Sequence, residues 1–197
     1  MKLSRLSRTL LFTAALGGAT LTLSQCAAPL ILAGGAVGIG YYLGSERRDT
    51  DTIAEDSKAE QQMIEAMRDA GIDINRVTVT VYNHKMLLIG RLPSEDQVAQ
   101  LTRLARNIPY VTKVYNRVKV GPPLSDSQAT EDGLLAAKVK AALVAEKGLN
   151  SASLHFDVYD GTVYLMGLVT QEEARKAIAA VSGVKGVRKV IDAMDRL

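Results

Sequence analysis

The feature that most constrains the fold of this chain is an internal repeat, in which similar segments lie about 77 residues apart. The clearest pair is VYNHKMLLIG at residues 81–90 and VYDGTVYLMG at residues 158–167. In each segment β-branched or large apolar residues flank an Asn or Asp that tolerates the backbone angles of a tight turn, and a glycine ends the second strand. The pattern predicts two copies of one small module, each containing a β-hairpin.

Helical patterns precede and follow each hairpin. The second helix of each copy is predicted to begin with a capping box, formed by Ser94 with Gln97 and by Thr170 with Glu173. Apolar residues then recur at helical spacing at Val98, Leu101, Ala105 and Ile108, and at Ala174, Ala177, Ile178 and Val181. The first helices carry stripes at Ala59, Met63, Met67 and Ala70, and at Leu135, Val139, Ala142 and Leu143. These stripes are expected to face a core.

A third strand follows the second helix in each copy. Its apolar series is Val114, Val118 and Val120 in the first copy and Val187, Ile191 and Ala193 in the second. These pairs lie 73 residues apart, whereas the hairpins lie about 77 residues apart. The difference predicts about one extra helical turn in the first copy. The fold class is therefore α+β, with two tandem α-β-β-α-β modules, each a three-stranded mixed sheet packed on two helices. Modules this small lie near the lower limit for independent folding, so we expect them to pack on one another.

Composition places the module boundaries. Gly121-Pro122-Pro123 and the Ser-rich stretch after it are typical of a linker. The predicted organisation is a first module over residues 51–120, a linker over 121–129 and a second module over 130–197.

The N-terminus indicates export. Lys2, Arg5 and Arg8 precede the uncharged, mostly apolar segment 9–23, as in a secretory signal, which we place at residues 1–25. Removing these three residues from the 24 basic residues leaves 21, equal to the 21 acidic ones, so the exported part is neutral. The single cysteine, Cys26, cannot form an internal disulfide.

The sequence around Cys26 resembles the lipobox of bacterial lipoproteins. The segment Leu23-Ser24-Gln25-Cys26 differs from the usual pattern at Gln25. The resemblance implies a covalent diacylglycerol and an N-acyl chain, such as palmitate, on Cys26, with residues 26–50 as a Gly/Ala-rich tether. Ala27 is consistent with sorting to the outer membrane. One alternative stays open, because residues 9–44 carry no charge and are long enough for a membrane-spanning helix.

No pattern of catalysis, cofactor binding or metal binding is present in the sequence. The two histidines, His84 and His155, have no neighbouring ligand pattern, and both are expected to face solvent. His155, Asp157 and Tyr159 share one face of a strand, which we interpret as a polar outer face of the sheet. The sequence lacks phosphate-binding glycine loops and tryptophan, so a nucleotide cofactor and nucleic acid partners are both disfavoured.

The order of elements, the Leu-Met-Gly that ends the second hairpin and the GVKGV segment at 183–187 resemble the BON domain. The resemblance covers both repeats, residues 52–197, and is sharper in the second. Together with the lipobox it resembles lipoproteins with two BON domains. That resemblance implies a periplasm-facing outer-membrane lipoprotein with no enzymatic activity. It further implies binding of anionic phospholipid through the second domain, enrichment at division sites and a role in envelope integrity.

The resemblance also suggests where lipid would bind, at the exposed end of the first helix of the second repeat. There Gly133, Leu134, Leu135 and Lys138 are the predicted lipid-binding residues. Leu134 and Lys138 are four residues apart and share a helix face, which suits an apolar group entering the acyl boundary beside a cation that meets phosphate. Glu131 and Asp132 are expected to repel anionic lipid. The alternative is that Leu134 flanks the core and Lys138 is merely solvated.

Two other functions fit the sequence. The repeats would act as a structural interaction protein if they dock onto another envelope or division protein or onto a peptidoglycan assembly. A soluble periplasmic BON protein of osmotic stress would result if the signal were cleaved and Cys26 left unmodified.

Overall fold

Residues 46–197, which the computed structural model describes, form two modules with the same order of elements. The predicted signal peptide, Cys26 and the tether up to residue 45 lie outside the described residues, so those assignments stay predictions. The first module contains α1 (Thr50–Asp69), a 3₁₀ turn (Ile74–Arg76), β1 (Val77–Tyr82), β2 (Lys85–Leu92), α2 (Glu95–Arg106), β3 (Lys113–Asn116) and β4 (Lys119–Val120). The second contains α3 (Asp126–Ala145), a 3₁₀ turn (Ser151–Ser153), β5 (Leu154–Tyr159), β6 (Thr162–Val169), α4 (Gln171–Ser182), β7 (Lys189–Asp192) and β8 (Asp195–Arg196).

Each module has one mixed sheet with the long hairpin strand at its centre. In the first module β2 pairs antiparallel with β1 and parallel with β3 and β4, which are two parts of one interrupted edge strand. The second module repeats this with β6 between β5 and the pair β7 and β8. The predicted α+β fold and mixed sheet are confirmed.

Two-residue turns join the hairpin strands. All four turn residues have positive φ angles, 49° at Asn83, 61° at His84, 50° at Asp160 and 64° at Gly161. Two consecutive left-handed residues match the right-handed twist of the flanking strands. The predicted turn chemistry therefore explains both hairpins.

Side-chain caps set the helix starts. Thr170 and Glu173 form the predicted reciprocal capping box at α4, whereas at α2 Ser94 accepts from the backbone of Gln97 without the reciprocal bond. A capping box that the sequence analysis missed, Ser125 with Gln128, starts α3 at Asp126. The helix thus begins inside the range predicted to be linker.

Each module has its own core between its two helices and one face of its sheet, and the predicted stripes lie in these cores except for Ala142, which is half-buried outside them. The side chains of Met63, Met67, Leu101 and Ala105 are fully buried in the first module, as are those of Val139, Ala177 and Val181 in the second. Both cores are built from residues between Ala59 and Met194, so a fragment of residues 46–197 is expected to fold on its own.

The glycine that ends each repeated segment is required by a close backbone approach. A Cβ atom on Gly90 would lie 2.1 Å from the carbonyl oxygen of Arg76, and one on Gly167 would lie 2.6 Å from that of Ser153. Both carbonyls belong to the 3₁₀ turn that leads into the first strand of the hairpin. The repeat therefore keeps glycine where any side chain would displace this turn.

The predicted correspondence of the third strands is wrong. Lys113 pairs with Lys85 on the central strand, and Lys189 pairs with the equivalent residue Thr162, so Lys113 and Lys189 are the true counterparts. The helices α2 and α4 both contain 12 residues, and the first copy has no extra turn. Alternating apolar residues match one another at several offsets, and only the strand pairing selects the correct one.

The two sheets pack face to face, which confirms the expectation that the modules pack on one another. Their shared apolar cluster contains the side chains of Tyr82, Leu87, Ile89, Tyr164, Met166 and Ala193. The interpretation of the strand face with His155, Asp157 and Tyr159 as a polar outer face is wrong, because this face belongs to the interface. Thr80 and Tyr82 on the equivalent face of β1 are buried there. Their hydroxyl groups make the pattern look polar, but they find partners across the interface.

Within residues 46–197 no helix has the length and apolar character needed to cross a membrane.

Candidate functional site

Three of the four predicted lipid-binding residues, Leu134, Leu135 and Lys138, line a cleft at one end of the second module. The cleft has a volume of about 340 Å³ and lies between α3, the turn joining β5 to β6, and the loop joining α4 to β7. Its walls are formed by Gln128, Glu131, Asp132, Leu134, Leu135, Lys138, Asp160, Gly161, Lys185, Gly186 and Arg188.

The apolar part of the cleft rim is Leu134, whose side chain is 61% exposed. Leu135, in contrast, is only 5% exposed and packs in the core, so it supports the rim from behind and does not offer a surface. Gly133 lines a neighbouring groove, and apart from its own helix no atom lies within 4 Å of where its Cβ would be. Of the four predicted residues, Leu134 and Lys138 present exposed side chains to the cleft.

Three cations line the same cleft as the exposed leucine. Lys138 on α3 and Lys185 on the loop after α4 are exposed and form no ion pair within the described residues. Arg188, whose side chain is 62% exposed, pairs with Asp160. Sequence reasoning missed Lys185 and Arg188 as site residues because they lie about 50 residues beyond Leu134 and join it only through the fold. The GVKGV segment, which contains Lys185, was the signal that could have found them.

Asp132 holds the hairpin turn at the floor of the cleft. Its two carboxylate oxygens accept hydrogen bonds from the backbone N–H groups of Asp160, at 2.6 Å, and of Gly161, at 2.8 Å. Asp56 does the same in the first module, accepting from the N–H groups of Asn83 and His84 at 2.7 and 2.8 Å. Asp132 was expected to act only as a repulsive charge. The geometry gives it a structural task, and the aligned backbone dipoles offset part of its charge.

Comparison with protein families now identifies the modules. The family model of the BON domain matches residues 55–122 and 131–196. The chain belongs to the BON domain family. Each BON match covers the hairpin, the second helix and the interrupted edge strand of one module.

Among characterised relatives, the chain is similar to the outer membrane lipoprotein DolP of Haemophilus influenzae, with 34% identity over 176 residues that cover 88% of this chain and 90% of that protein. A 21 kDa hemolysin of Actinobacillus pleuropneumoniae is 29% identical over 59% of this chain and 60% of its own length. The similarity to DolP spans both BON domains and confirms the predicted envelope role and outer-membrane localisation.

Among solved structures, the chain is similar to CdsD, a structural protein of the type III secretion system of Chlamydia trachomatis. The identity is 17%, the match covers 73% of this chain and 63% of that one, and the TM-score is 0.27. A likeness this low supports no argument about this protein.

A short segment before α1, residues 46–48, fastens the two BON domains together, although it falls in the range predicted as tether. Arg47 donates to both carboxylate oxygens of Glu173, at 2.6 and 2.9 Å, and to the carbonyl oxygen of Leu168 at 3.1 Å. Arg48 lies 3.7 Å over the ring of Tyr82 and pairs with Asp56 at 2.9 Å. We call residues 46–48 the clasp. It ties α1 and the first hairpin to the start of α4.

Ion pairs across the interface join a residue in or beside the hairpin turn of each BON domain to a strand of the other domain. Lys85 pairs with Asp195, and Arg91 pairs with Asp160 at 2.9 Å. The pKa of Asp160 is lowered: partial burial opposes this shift, but hydrogen bonds from Arg188 and Arg91 outweigh it. The first BON domain therefore reaches the cleft of the second through Arg91.

The histidines lie outside the cleft. Nε2 of His84 lies 3.1 Å from a carboxylate oxygen of Glu55, and its side chain is half-buried, so the prediction that it faces solvent holds only in part. His155 is exposed, with Nε2 3.4 Å from Asp157. The described part of the chain contains no group of three or more His, Cys, Asp or Glu placed to hold a metal ion.

Proposed function

We propose that this outer-membrane lipoprotein binds anionic phospholipid through the cleft of its second BON domain. By this binding it supports the integrity of the outer membrane, including at division sites. The observation that carries the proposal is that the exposed Leu134 lines one cleft together with three exposed cations, Lys138, Lys185 and Arg188. An apolar side chain can enter the acyl boundary while neighbouring cations meet the phosphate groups.

The expected affinity of the cleft alone is low. Each lysine or arginine near an anionic surface contributes about 1 kcal/mol, and the carboxylates of Glu131, Asp132 and Asp160 in the same cleft offset part of what the three cations contribute. Insertion of one leucine adds about 1 to 2 kcal/mol. Acyl chains on Cys26, if present, would hold the domain near the membrane and raise the effective lipid concentration, so that such a weak site is occupied.

The proposed role is binding and not catalysis. Two of the carboxylates that line the cleft already have partners: Asp132 accepts from two backbone N–H groups, and Asp160 accepts from Arg91 and Arg188. The chemistry of the cleft is a combination of cations, a flexible apolar side chain and a rigid turn. This combination suits recognition of a charged surface.

Co-sedimentation with vesicles tests the proposal. A fragment of residues 46–197, which lacks Cys26, is mixed with vesicles of phosphatidylcholine alone or of phosphatidylcholine with phosphatidylglycerol. We expect the fragment to sediment with the anionic vesicles and to stay in solution with the neutral ones. Equal binding to both vesicles, or none to either, would falsify lipid recognition by the cleft.

Matched variants locate the binding surface. Leu134→Glu and Lys138→Gln are each expected to weaken sedimentation with anionic vesicles. Val144→Glu is the control for the first, because Val144 lies on the same helix and is 63% exposed. Lys140→Gln is the control for the second, because Lys140 is an exposed lysine about 200° around the helix from Lys138. If the control variants weaken binding as much as the test variants do, charge alone attracts the protein and the cleft is not the site.

A further inference from the structure

Asp160 is shared by one arginine from each BON domain. Oδ2 of Asp160 accepts from Nη2 of Arg91 in the first domain at 2.9 Å, and Oδ1 accepts from Arg188 in the second. Asp160 and Arg188 both line the cleft, whereas Arg91 reaches Asp160 from β2 across the domain interface. The three side chains form a row of alternating charge, in which Arg91, Asp160 and Arg188 follow one another from the domain interface to the proposed lipid site.

The two arginines differ in their surroundings. The side chain of Arg91 is 22% exposed and lies between the sheets, so it is held in place. The side chain of Arg188 is mostly exposed and uses one Nη2 atom on Asp160. A guanidinium has five N–H donors, so Arg188 keeps donors that can bind a phosphate oxygen.

We propose that Arg91 of the first BON domain is a positioning residue for lipid binding by the second: it neutralises Asp160 and leaves Arg188 available to the phosphate of an anionic lipid. This inference rests on the proposed function and assigns the first domain a part in it. With Arg91 in place, the three side chains carry a net charge of about +1 beside the cleft. Without it, Asp160 has Arg188 as its only ion-pair partner, and the pair presents no net charge to the membrane.

Of the two arginines that pair with Asp160, Arg91 is the one that does not line the cleft, so it can neutralise Asp160 without using a cation of the cleft. Asp132, the other carboxylate at the turn, is already bonded to two backbone N–H groups. Lys138 and Lys185 form no ion pair with Asp160. Asp160 would otherwise compete with lipid phosphate for the cations of the cleft, because it is a carboxylate on the same rim.

Binding of variants of the 46–197 fragment to phosphatidylglycerol-containing vesicles tests the inference, after thermal unfolding has confirmed that each variant folds. Arg91→Gln is expected to weaken binding about fivefold, the effect of losing one cation at the surface. Lys85→Gln is the matched control. Lys85 also belongs to the first domain and pairs with a carboxylate of the second, Asp195, which does not line the cleft. Lys85→Gln is expected to change binding to the vesicles by less than about twofold.

A double-mutant cycle with Asp160→Asn gives the decisive measurement. Asn tolerates the left-handed angles of residue 160, so the turn is retained. In the Asp160→Asn background Arg188 is free with or without Arg91. Arg91→Gln should therefore change binding by less than about twofold in that background.

Two results would overturn the inference while leaving the proposed function intact. One is equal weakening by Arg91→Gln and Lys85→Gln, which would show that domain docking alone matters. The other is the same effect of Arg91→Gln in both backgrounds, which would show a simple additive charge. If the unmodified fragment does not prefer anionic vesicles, the proposed function fails and the inference fails with it.

Discussion

Thr80 donates a hydrogen bond of 2.9 Å to a carboxylate oxygen of Asp157, and the two residues occupy the same position in the two BON domains. Each is the fourth residue of the first hairpin strand of its domain. Contacts between equivalent residues occur at the axis of a two-fold interface. The two sheets therefore meet like the halves of a homodimer joined in one chain. Two aspartates at this point would repel each other, whereas Thr80 supplies the donor that Asp157 needs.

The hydrogen bond between Thr80 and Asp157 predicts how much stability is lost when the domain interface is disturbed. Thr80→Val keeps the shape of the side chain but leaves the largely buried carboxylate of Asp157 without its hydroxyl partner. The free energy of unfolding is expected to fall by about 1 to 2 kcal/mol in urea denaturation. The control is Thr78→Val, on the same strand face but exposed, which should change it by less than about 0.5 kcal/mol. Equal effects of the two substitutions would argue against a specific role for the bond.

The clasp predicts a pH dependence of stability. The hydrogen bond from Arg47 is the main cause that lowers the pKa of Glu173 to about 2, against an ordinary 4.5. Because the folded-state pKa is depressed, this carboxylate contributes its full stability above about pH 4.5 and loses it as the pH falls towards 2. The shift corresponds to at most about 3 kcal/mol.

Arg47→Gln removes the largest cause of this shift. We expect it to lower the free energy of unfolding by about 2 kcal/mol at pH 7. The difference from the unmodified protein should shrink as denaturation is repeated at lower pH. Glu173→Gln is the companion variant, because a glutamine can keep the capping box with Thr170 while losing the charge. A difference that stays constant from neutral to acidic pH would contradict this assignment.

Two glycines predict stability changes of opposite sign. Gly90→Ala places a Cβ 2.1 Å from the carbonyl oxygen of Arg76, at a φ of 149°, and should lower the free energy of unfolding by at least about 3 kcal/mol. Gly133→Ala fills open space inside α3 and should raise it by about 1 kcal/mol. Chemical denaturation of both variants measures the contrast. A mild effect at Gly90 would mean that the 3₁₀ turn before β1 can move aside.

The contacts of Asp132 with the hairpin turn at the cleft predict a local loss of stability when Asp132 is replaced. Asp132→Ala removes the acceptor for the N–H groups of Asp160 and Gly161, and should lower the free energy of unfolding by about 2 to 3 kcal/mol. Amide hydrogen exchange of these two residues should accelerate. Glu131→Ala, one residue earlier and exposed, should leave both observables nearly unchanged. Unaltered exchange at Gly161 in Asp132→Ala would disprove the anchoring role of Asp132.

Much of each module was predictable because the relevant signals are local. Alternation marked the hairpin strands, helical spacing marked the buried stripes, and Asp160-Gly161 marked a turn that the φ angles confirm. The failures occurred where one local pattern fits several arrangements. The valines of the third strand match at a wrong offset, and the strand face with His155 and Asp157 has the pattern of an outer surface although it lies in the interface. Propensity cannot distinguish a polar face that meets water from one whose hydroxyl groups find partners across an interface.

For the candidate site, the helix face with Leu134 and Lys138 came from the sequence together with its family resemblance. The sequence did not reveal the other half of the cleft, which is formed by Lys185 and Arg188, or its link to Arg91. These side chains are far from Leu134 along the chain. By itself the sequence determined two modules of one kind, their turns and the composition of their cores. Only the tertiary structure decided which sheet faces meet, and thereby which charges become neighbours. The physical reason is that backbone periodicity is set residue by residue, whereas an ion pair across an interface depends on how two separate surfaces pack.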